Sequence, residues 1–270
     1  MLSLVCTLYC ANHIMIDVMT ADTCNGGNRN WRFFRFIKGG GNRIWRVASW
    51  WCHIFLVVSN MAAVECESKD NNSTDLSKTP VFSDDTVKTI EKHESLGIPL
   101  QTPWTLWLGK VASGTTVEEY KQNLTKIYTV NTVQSFWAVF NNIPNASAMQ
   151  VKYSYHLMRD ERYPLWEEPV NQHGGTWRLK CHKSDTDKIW KEMVLAAIGE
   201  QFAECVAEDD DVCGVTVSIR DREDIIQIWN TTASSAPKAT VLQKAHSLLP
   251  NVNFSEFYKP HQTHHAYDRR

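Results

Sequence analysis

The run VCGVTVSIRDREDIIQIWN, residues 212–230, sets two segments rich in Val, Ile and Trp on either side of the charged quartet Asp221-Arg222-Glu223-Asp224. β-Branched and aromatic residues favour extended backbone, and so short a link cannot return a chain to a parallel neighbour, so residues 212–220 and 225–230 are predicted to form an antiparallel hairpin. Short aromatic runs at 104–108 and 153–158, and the run 176–180 after Gly174-Gly175, read as further strands. Between them the apolar spacing changes to a helical period over residues 132–142, 186–202 and 239–248. The second helix is best marked, with Ser184 or Asp185 at the N-cap position and Ile189, Trp190, Met193, Val194, Ala197 and Ile198 in one stripe. Helices spaced among antiparallel strands give an α+β domain with its helices on one sheet face, which leaves the other face for a ligand.

These elements sit in a chain of 270 residues, 43% hydrophobic and 21% charged, a composition that excludes a disordered or collagen-like protein. Twenty-eight Lys and Arg against thirty Asp and Glu leave a formal charge of −2, too balanced for a surface that grips duplex nucleic acid over its whole extent. Any polyanion contact is therefore local. Eleven Trp is the outlying number, and large aromatics serve cores, interfaces and base stacking. Five of the eight cysteines precede residue 67 and none forms a CxxC pair, which speaks against a zinc site or a disulfide framework. The longest mostly apolar run, residues 44–58, is interrupted by Arg46, Ser49 and His53 and falls short of the roughly 20 residues of a spanning helix. The first ten residues lack a basic start and a small-residue cleavage site. An intracellular protein with no membrane span is expected.

Charge divides the chain. Residues 1–60 hold six Lys and Arg and two Asp and Glu, which leaves 22 against 28 afterwards, or about +4 and −6. Residues 1–60, where NGGNRN and KGGGNR interrupt any period, read as an extension of no evident fold, with Met61 a candidate alternative start. Residues 61–95 read as a polar disordered linker with one amphipathic patch at 87–90, and 96–270 as the globular domain.

Chemistry concentrates in Tyr163-Pro-Leu-Trp166-Glu167-Glu168-Pro169, where two prolines place a large aromatic and two carboxylates on a loop. A π-face beside an acceptor-only carboxylate suits a planar cationic base with N–H donors on one edge; the other reading is a packed loop Trp with solvated acids. In the helix at 132–143, Phe136, Val139, Phe140 and Ile143 suffice to dock it, while Val133 and Trp137 project on a flanking side. There Trp137 either anchors an amphipathic partner helix or packs beneath the N-terminal linker. His261, His264 and His265 have no nearby Cys or carboxylate cluster to complete a metal site. Cys181 and His182 are neighbours that a strand would point to opposite faces, so a nucleophile pair is not expected either.

The runs IPLQTPWTLW (98–107), TVQSFWAVFNNI (132–143), LWEEPVNQHGGTW (165–177), IWKEMVLAAIGEQF (189–202) and VCGVTVSIRDREDIIQIWN (212–230) together resemble the eukaryotic translation initiation factor 4E family. NLTKIYTVNTVQ, SYHLMRDER and FYKPHQTHHAY are most similar to its third class. The resemblance implies a curved antiparallel sheet with about three helices on its convex back and a concave face that binds the 7-methylguanosine cap of messenger RNA. It implies that Trp166 stacks on the base, Glu167 takes two guanine donors, Trp229 touches the methyl group and Arg220 meets the phosphates. Stacking on a methylated, cationic ring gains about 1–2 kcal/mol when desolvated. It further implies a dorsal site of Pro99, Val133 and Trp137 for a scaffold of the initiation factor 4G type or a helical repressor.

Departures from the family pattern bear on affinity. Tyr120 aligns with the first stacking Trp of the major class, so the sandwich would be Tyr and Trp, with ordinary surface packing the other reading. Thr176 and Ile225 stand where the major class has basic residues, which leaves Arg220 and the neighbouring Arg222 for the phosphates and implies weaker binding. Ile98 and Lys191 depart from the dorsal pattern. The expectation is a monomeric, non-enzymatic cap-binding protein without cofactor or metal, cytoplasmic with the nucleus as an alternative, acting in translation or its regulation. The rival expectation keeps the fold and makes the chain a protein-interaction module that sequesters scaffold helices without effective cap binding.

Overall fold

The computed structural model describes residues 82–111, 114 and 116–263, side chains included as far as residue 262, together with the backbone of three strands nearer the N-terminus. The chain divides into two units, Met1–Ser73 and Thr74–Arg270. In the first, β1 (Leu4–Cys10), β2 (His13–Asp22) and β3 (Asn30–Ile37) form an antiparallel sheet with β2 in the middle. Met61, the apolar run at 44–58, the five early cysteines' side chains and His264 and His265 lie outside the described residues.

The second unit opens with helix α1 (Asp84–Leu96), which corrects the expectation of a disordered linker as far as residue 95. Its start is fixed by Ser83, whose side chain accepts from Thr86 N, with Asp84 and Asp85 in the positive first turn. Ile90 is fully buried and is the helix's one core residue, a signal too sparse for periodicity to reveal. The sheet follows: β4 (Pro99–Lys110), β5 (Thr125–Thr132), β6 (Tyr153–Arg159), β7 (Gly175–Cys181), β8 (Val212–Ser218), β9 (Asp224–Asn230) and β10 (Phe254–Pro260). They lie in the order β10-β7-β9-β8-β6-β4-β5, every pair antiparallel. The expected hairpin is β8–β9. The unexpected strands, β5 and β10, are the two edges, half-exposed and without a full apolar face.

Register gives this sheet two different faces. One carries the rows Leu106, Leu157, Val215, Ile228, Trp177 and Leu108, Tyr155, Val217, Ile226, Leu179. Against it pack α3 (Val133–Phe140) and α4 (Thr186–Ile198), with Phe136, Val139, Trp190 and Val194 around Leu106 and Leu157. The opposite face carries the rows Trp107, His156, Thr216, Gln227, Arg178, Phe257 and Thr105, Met158, Gly214, Trp229, Thr176, Lys259. Thus the expected α+β architecture is observed; among the described residues there are five α-helices, of which α2 (Val117–Gln122) is short and lies over the polar face, and α5 (Val241–Leu248) is the third of those expected. Helix α4 ends with its apolar stripe, four residues before the expected residue 202, because Gly199 caps it and Glu200 turns left-handed at φ 54°.

At the hairpin turn the charged quartet is not all solvated. Asp224 is 0% exposed and accepts from Lys183 Nζ (2.7 Å), Thr186 Oγ1 (2.7 Å) and Arg220 N (2.9 Å), tying the hairpin to the start of α4. On α3 a Thr132–Ser135 capping box fixes the first turn, and Thr132 Oγ1 also donates to His93 O of α1 (3.0 Å). Asn131 N donates to Glu94 Oε1 (3.1 Å), so α1 is docked at the N-terminal end of α3. Ile90→Ala is expected to cost about 2–4 kcal/mol of this docking. Hydrogen exchange would read it as faster amides across residues 84–96 with the sheet amides unchanged; unchanged exchange in α1 would show that the helix is held by its polar contacts alone.

Candidate functional site

Trp166 and Glu167 stand on the loop between β6 and β7, which is fastened from several sides. Asn171 Nδ2 donates to Tyr163 O (2.9 Å) and Leu165 O (2.7 Å), and Gln172 Nε2 donates to Glu167 O (2.7 Å). His261 Nδ1–H donates to Asn171 O (2.6 Å), and the His261 ring stands edge-on to Trp229 at 4.9 Å. Burial pushes the His261 pKa down, which keeps the ring neutral, so the one described histidine of the C-terminal trio supports the loop. Tyr163 packs on Trp107 with ring centroids 4.9 Å apart, and Lys121 Nζ lies 4.6 Å from the Tyr163 ring centre. Lys121 also pairs with Glu168 Oε1 (2.6 Å) and so joins α2 to the loop.

Trp166 is half-buried and packs against Trp107, Met158, Cys213 and Trp229 on the polar sheet face. Trp229 is 5% exposed, and its indole N–H donates to Thr216 Oγ1 (3.0 Å). Glu167 has a carboxylate oxygen, Oε2, that is buried without a hydrogen-bond partner. Its pKa is raised, chiefly by burial, with Glu118 and Glu168 adding to the shift against a backbone hydrogen bond. Tyr120 stands on α2 behind a Thr116–Glu119 capping box and turns its hydroxyl inward to His156 Nε2 (3.2 Å). Burial raises the phenol's pKa, with the charge of Arg220 opposing the shift and that of Glu167 adding to it.

Arg220 follows β8, its N–H held by Asp224 and its carbonyl by Lys183 Nζ. Its charge also reaches Arg178 on β7, where burial and Arg220 together lower the Arg178 pKa. Arg178 Nε donates to Thr176 Oγ1 (3.1 Å). The five residues expected for the cap, Tyr120, Trp166, Glu167, Arg220 and Trp229, therefore converge on one face. Sequence reasoning missed His156, Thr216 and Arg178, although each is a polar residue in step with the two-residue period of its strand. Arg222, the other expected phosphate contact, is exposed on the hairpin turn.

On the opposite face Trp137 is half-exposed, edge-on to Phe136 (5.3 Å) and Phe140 (6.1 Å), with Lys191 Nζ 5.6 Å from its ring centre. Pro99 is exposed. Val133 is 1% exposed at the end of α3 on which α1 packs, so it does not project to solvent as its helical position suggests. Cys181 is buried, its thiol pushed up to about 11, which does not suit a nucleophile. No helix among the described residues is long and apolar enough to cross a membrane.

Residues 99–269 match the family Eukaryotic initiation factor 4E, and the chain belongs to that family. It is 34% identical over 166 residues to the Eukaryotic translation initiation factor NCBP of Triticum aestivum, covering 60% of this chain and 69% of the relative. It is 32% identical over 165 residues to the Eukaryotic translation initiation factor 4E of Dictyostelium discoideum, covering 61% and 64%. Among solved structures it is similar to Ascaris suum eIF4E-3 in complex with the m2,2,7G cap, with a TM-score of 0.54 at 27% identity over 62% of this chain and 93% of that one. C. elegans eIF4E-3 bound to the 4E-binding protein Mextli and a cap analog has the same score and identity, over 61% and 93%. The fold is that of these translation factors, which are not enzymes.

A carboxyl whose folded pKa lies above its unfolded value costs stability when ionised and stops doing so once both states are protonated. Glu167→Gln is therefore expected to raise the Tm of the ligand-free protein at pH 7, with the difference closing as pH falls below the ordinary value of 4.5. Thermal unfolding at the two pH values checks this, and an equal or lower Tm for the variant at pH 7 would count against a desolvated carboxylate.

Proposed function

We propose that this protein binds the 7-methylguanosine cap of messenger RNA on the polar sheet face and acts in translation initiation or its regulation. The observation that carries the reading is Glu167 Oε2, a buried acceptor with no donor beside a half-buried indole. Leaving a buried polar atom unpaired costs about 1–3 kcal/mol, which a ligand presenting two N–H donors on one edge recovers. Guanine has that edge, and methylation at N7 gives its ring the positive charge that an indole face favours. Trp166 stacks on the base, Glu167 takes N1–H and the 2-amino group, and Trp229 walls the methyl side. Tyr120 closes the pocket from α2.

Arg220 meets the phosphates, and Arg178 supplies charge on the same face where Thr176 and Ile225 leave the major-class basic positions vacant. The likeness to eIF4E-3 structures solved with m2,2,7G and m7G caps supports this reading; the third class is proposed on the runs NLTKIYTVNTVQ, SYHLMRDER and FYKPHQTHHAY. A monomer is proposed, in the cytoplasm or alternatively the nucleus, with no enzymatic step and no cofactor.

Intrinsic Trp fluorescence titrated with 7-methylated and unmethylated cap dinucleotide tests it. Quenching is expected with preference for the methylated ligand. Trp166→Ala and Glu167→Ala should each weaken binding by about 1–3 kcal/mol, and wild-type affinity in the folded variants would overturn the cap site.

A second site is favoured by Trp137, a half-exposed aromatic on α3. Its occupant is an amphipathic helix of a scaffold of the initiation factor 4G type or of a repressor, reaching from Trp137 toward Pro99. The complex of C. elegans eIF4E-3 with Mextli supports a protein partner. Val133 adds to this surface only where α1 gives way. If the chain is an interaction module without effective cap binding, this site alone functions. Trp137→Ala should cost about 2 kcal/mol or more in binding a helical scaffold peptide, leaving cap affinity as it was. Calorimetry with each ligand separates the sites; equal loss of both would show that Trp137 is a core residue.

A further inference from the structure

Four side chains from four elements are joined end to end across the polar face. Trp229 Nε1–H donates to Thr216 Oγ1 (3.0 Å), Thr216 Oγ1 lies 2.8 Å from His156 Nδ1, and His156 Nε2 lies 3.2 Å from the Tyr120 hydroxyl. Trp229, Thr216 and His156 are 5%, 1% and 3% exposed, so these bonds are made away from water. The chemistry of the groups gives the row a direction. An indole N–H only donates, so the Thr216 oxygen already acts as an acceptor there and has one proton left to give. Among its described partners His156 Nδ1 is the atom able to take that proton. A neutral imidazole with Nδ1 accepting carries its proton on Nε2 and donates it to Tyr120 Oη. Burial keeps the ring neutral, its pKa pushed down to about 3. The phenol then accepts from behind and keeps its own proton for the pocket side.

Backbone geometry makes room for this arrangement. A Cβ at Gly109 would lie 2.8 Å from Tyr120 Oη, 3.0 Å from His156 Nε2 and 3.1 Å from Leu124 Cδ2, so the sheet lacks a side chain where the phenol enters. Register brings a cation to the same end of the sheet: Ser218 pairs with Ser154 and Ser154 with Gly109, where the phenol enters, and Arg220 follows two residues beyond Ser218.

We infer that the row Trp229–Thr216–His156 fixes Tyr120 as a hydrogen-bond donor to a phosphate oxygen of the bound nucleotide, with His156 as the positioning residue. This rests on the reading that a capped nucleotide occupies the face. It gives the Tyr120 hydroxyl a role that stacking does not use.

The test compares affinities for 7-methylguanosine triphosphate and for the 7-methylguanosine nucleoside, with the histidine tautomer read by 15N-edited NMR. Tyr120→Phe should lower the triphosphate-to-nucleoside affinity ratio about tenfold, and Gly109→Ala should do the same without altering either ring. His156→Leu should follow them, whereas His156→Gln, which keeps an N–H donor near the Nε2 position, should retain the ratio. The His156 spectrum should show the Nε2–H tautomer. An unchanged ratio in Tyr120→Phe, or an Nδ1–H tautomer, overturns the inference and leaves the cap reading standing. Failure of the wild type to bind either probe overturns both.

Discussion

Side chains of an antiparallel strand alternate between two faces, and the register of this sheet sorts them by polarity across five neighbouring strands. From Leu106 to Trp177 one row is apolar throughout, while the row beside it runs Trp107, His156, Thr216, Gln227, Arg178. Helices α3 and α4 must lie on the first, since only there does burial repay the ordering of their own apolar stripes. Everything on the second face follows from its being left clear of α3 and α4, so that the short helix α2 and the loop after β6 can stand over it as walls. A shift of one residue in any central strand would exchange the two sets, placing His156 or Arg178 under a helix and Leu157 or Leu179 in the pocket. Specificity of register and the existence of a polar site are thus one constraint.

Much of this could be read from the residues. The β8–β9 hairpin was legible because Val, Ile and Trp flank a short charged link, and α4 because six apolar residues share one stripe. The edges were not. In β5 and β10 at most one side of the strand is covered, so hydrophobicity does not alternate strongly enough to mark them. Helix α2 spans 6 residues, under two turns, and its fixing device is a capping box that looks like ordinary loop chemistry in the sequence. The charged turn hid a different surprise, since Asp224 is buried and serves the fold while Asp221 and Arg222 beside it face solvent.

At the site, residue types pointed to Trp166 and Glu167, and the family resemblance to the other three. What neither supplied was support. Asn171, His261 and Lys121 hold the loop through backbone carbonyls and one carboxylate, contacts set by tertiary placement and not by spacing along the chain. His261 illustrates the difficulty: among other histidines near a terminus it resembles a metal ligand, and its bond to Asn171 O and edge-on packing against Trp229 give it another purpose. Val133 makes the converse point, since helical geometry aims it outward but a helix from an apparently polar segment packs on its end of α3.

Two walls of the pocket come from separate pieces of chain, α2 and the loop after β6, and Lys121 with Glu168 joins them at the rim. A solvent-facing ion pair is a weak fastening that dissolved salt loosens further. Each wall meanwhile has its own anchorage, one through Tyr120 and His156, the other through Asn171 and His261. The rim pair is therefore the part of this junction that ionic strength reaches, while the buried anchorages of both walls are screened far less, so salt acts on the seam between the walls and not on the seat of either one.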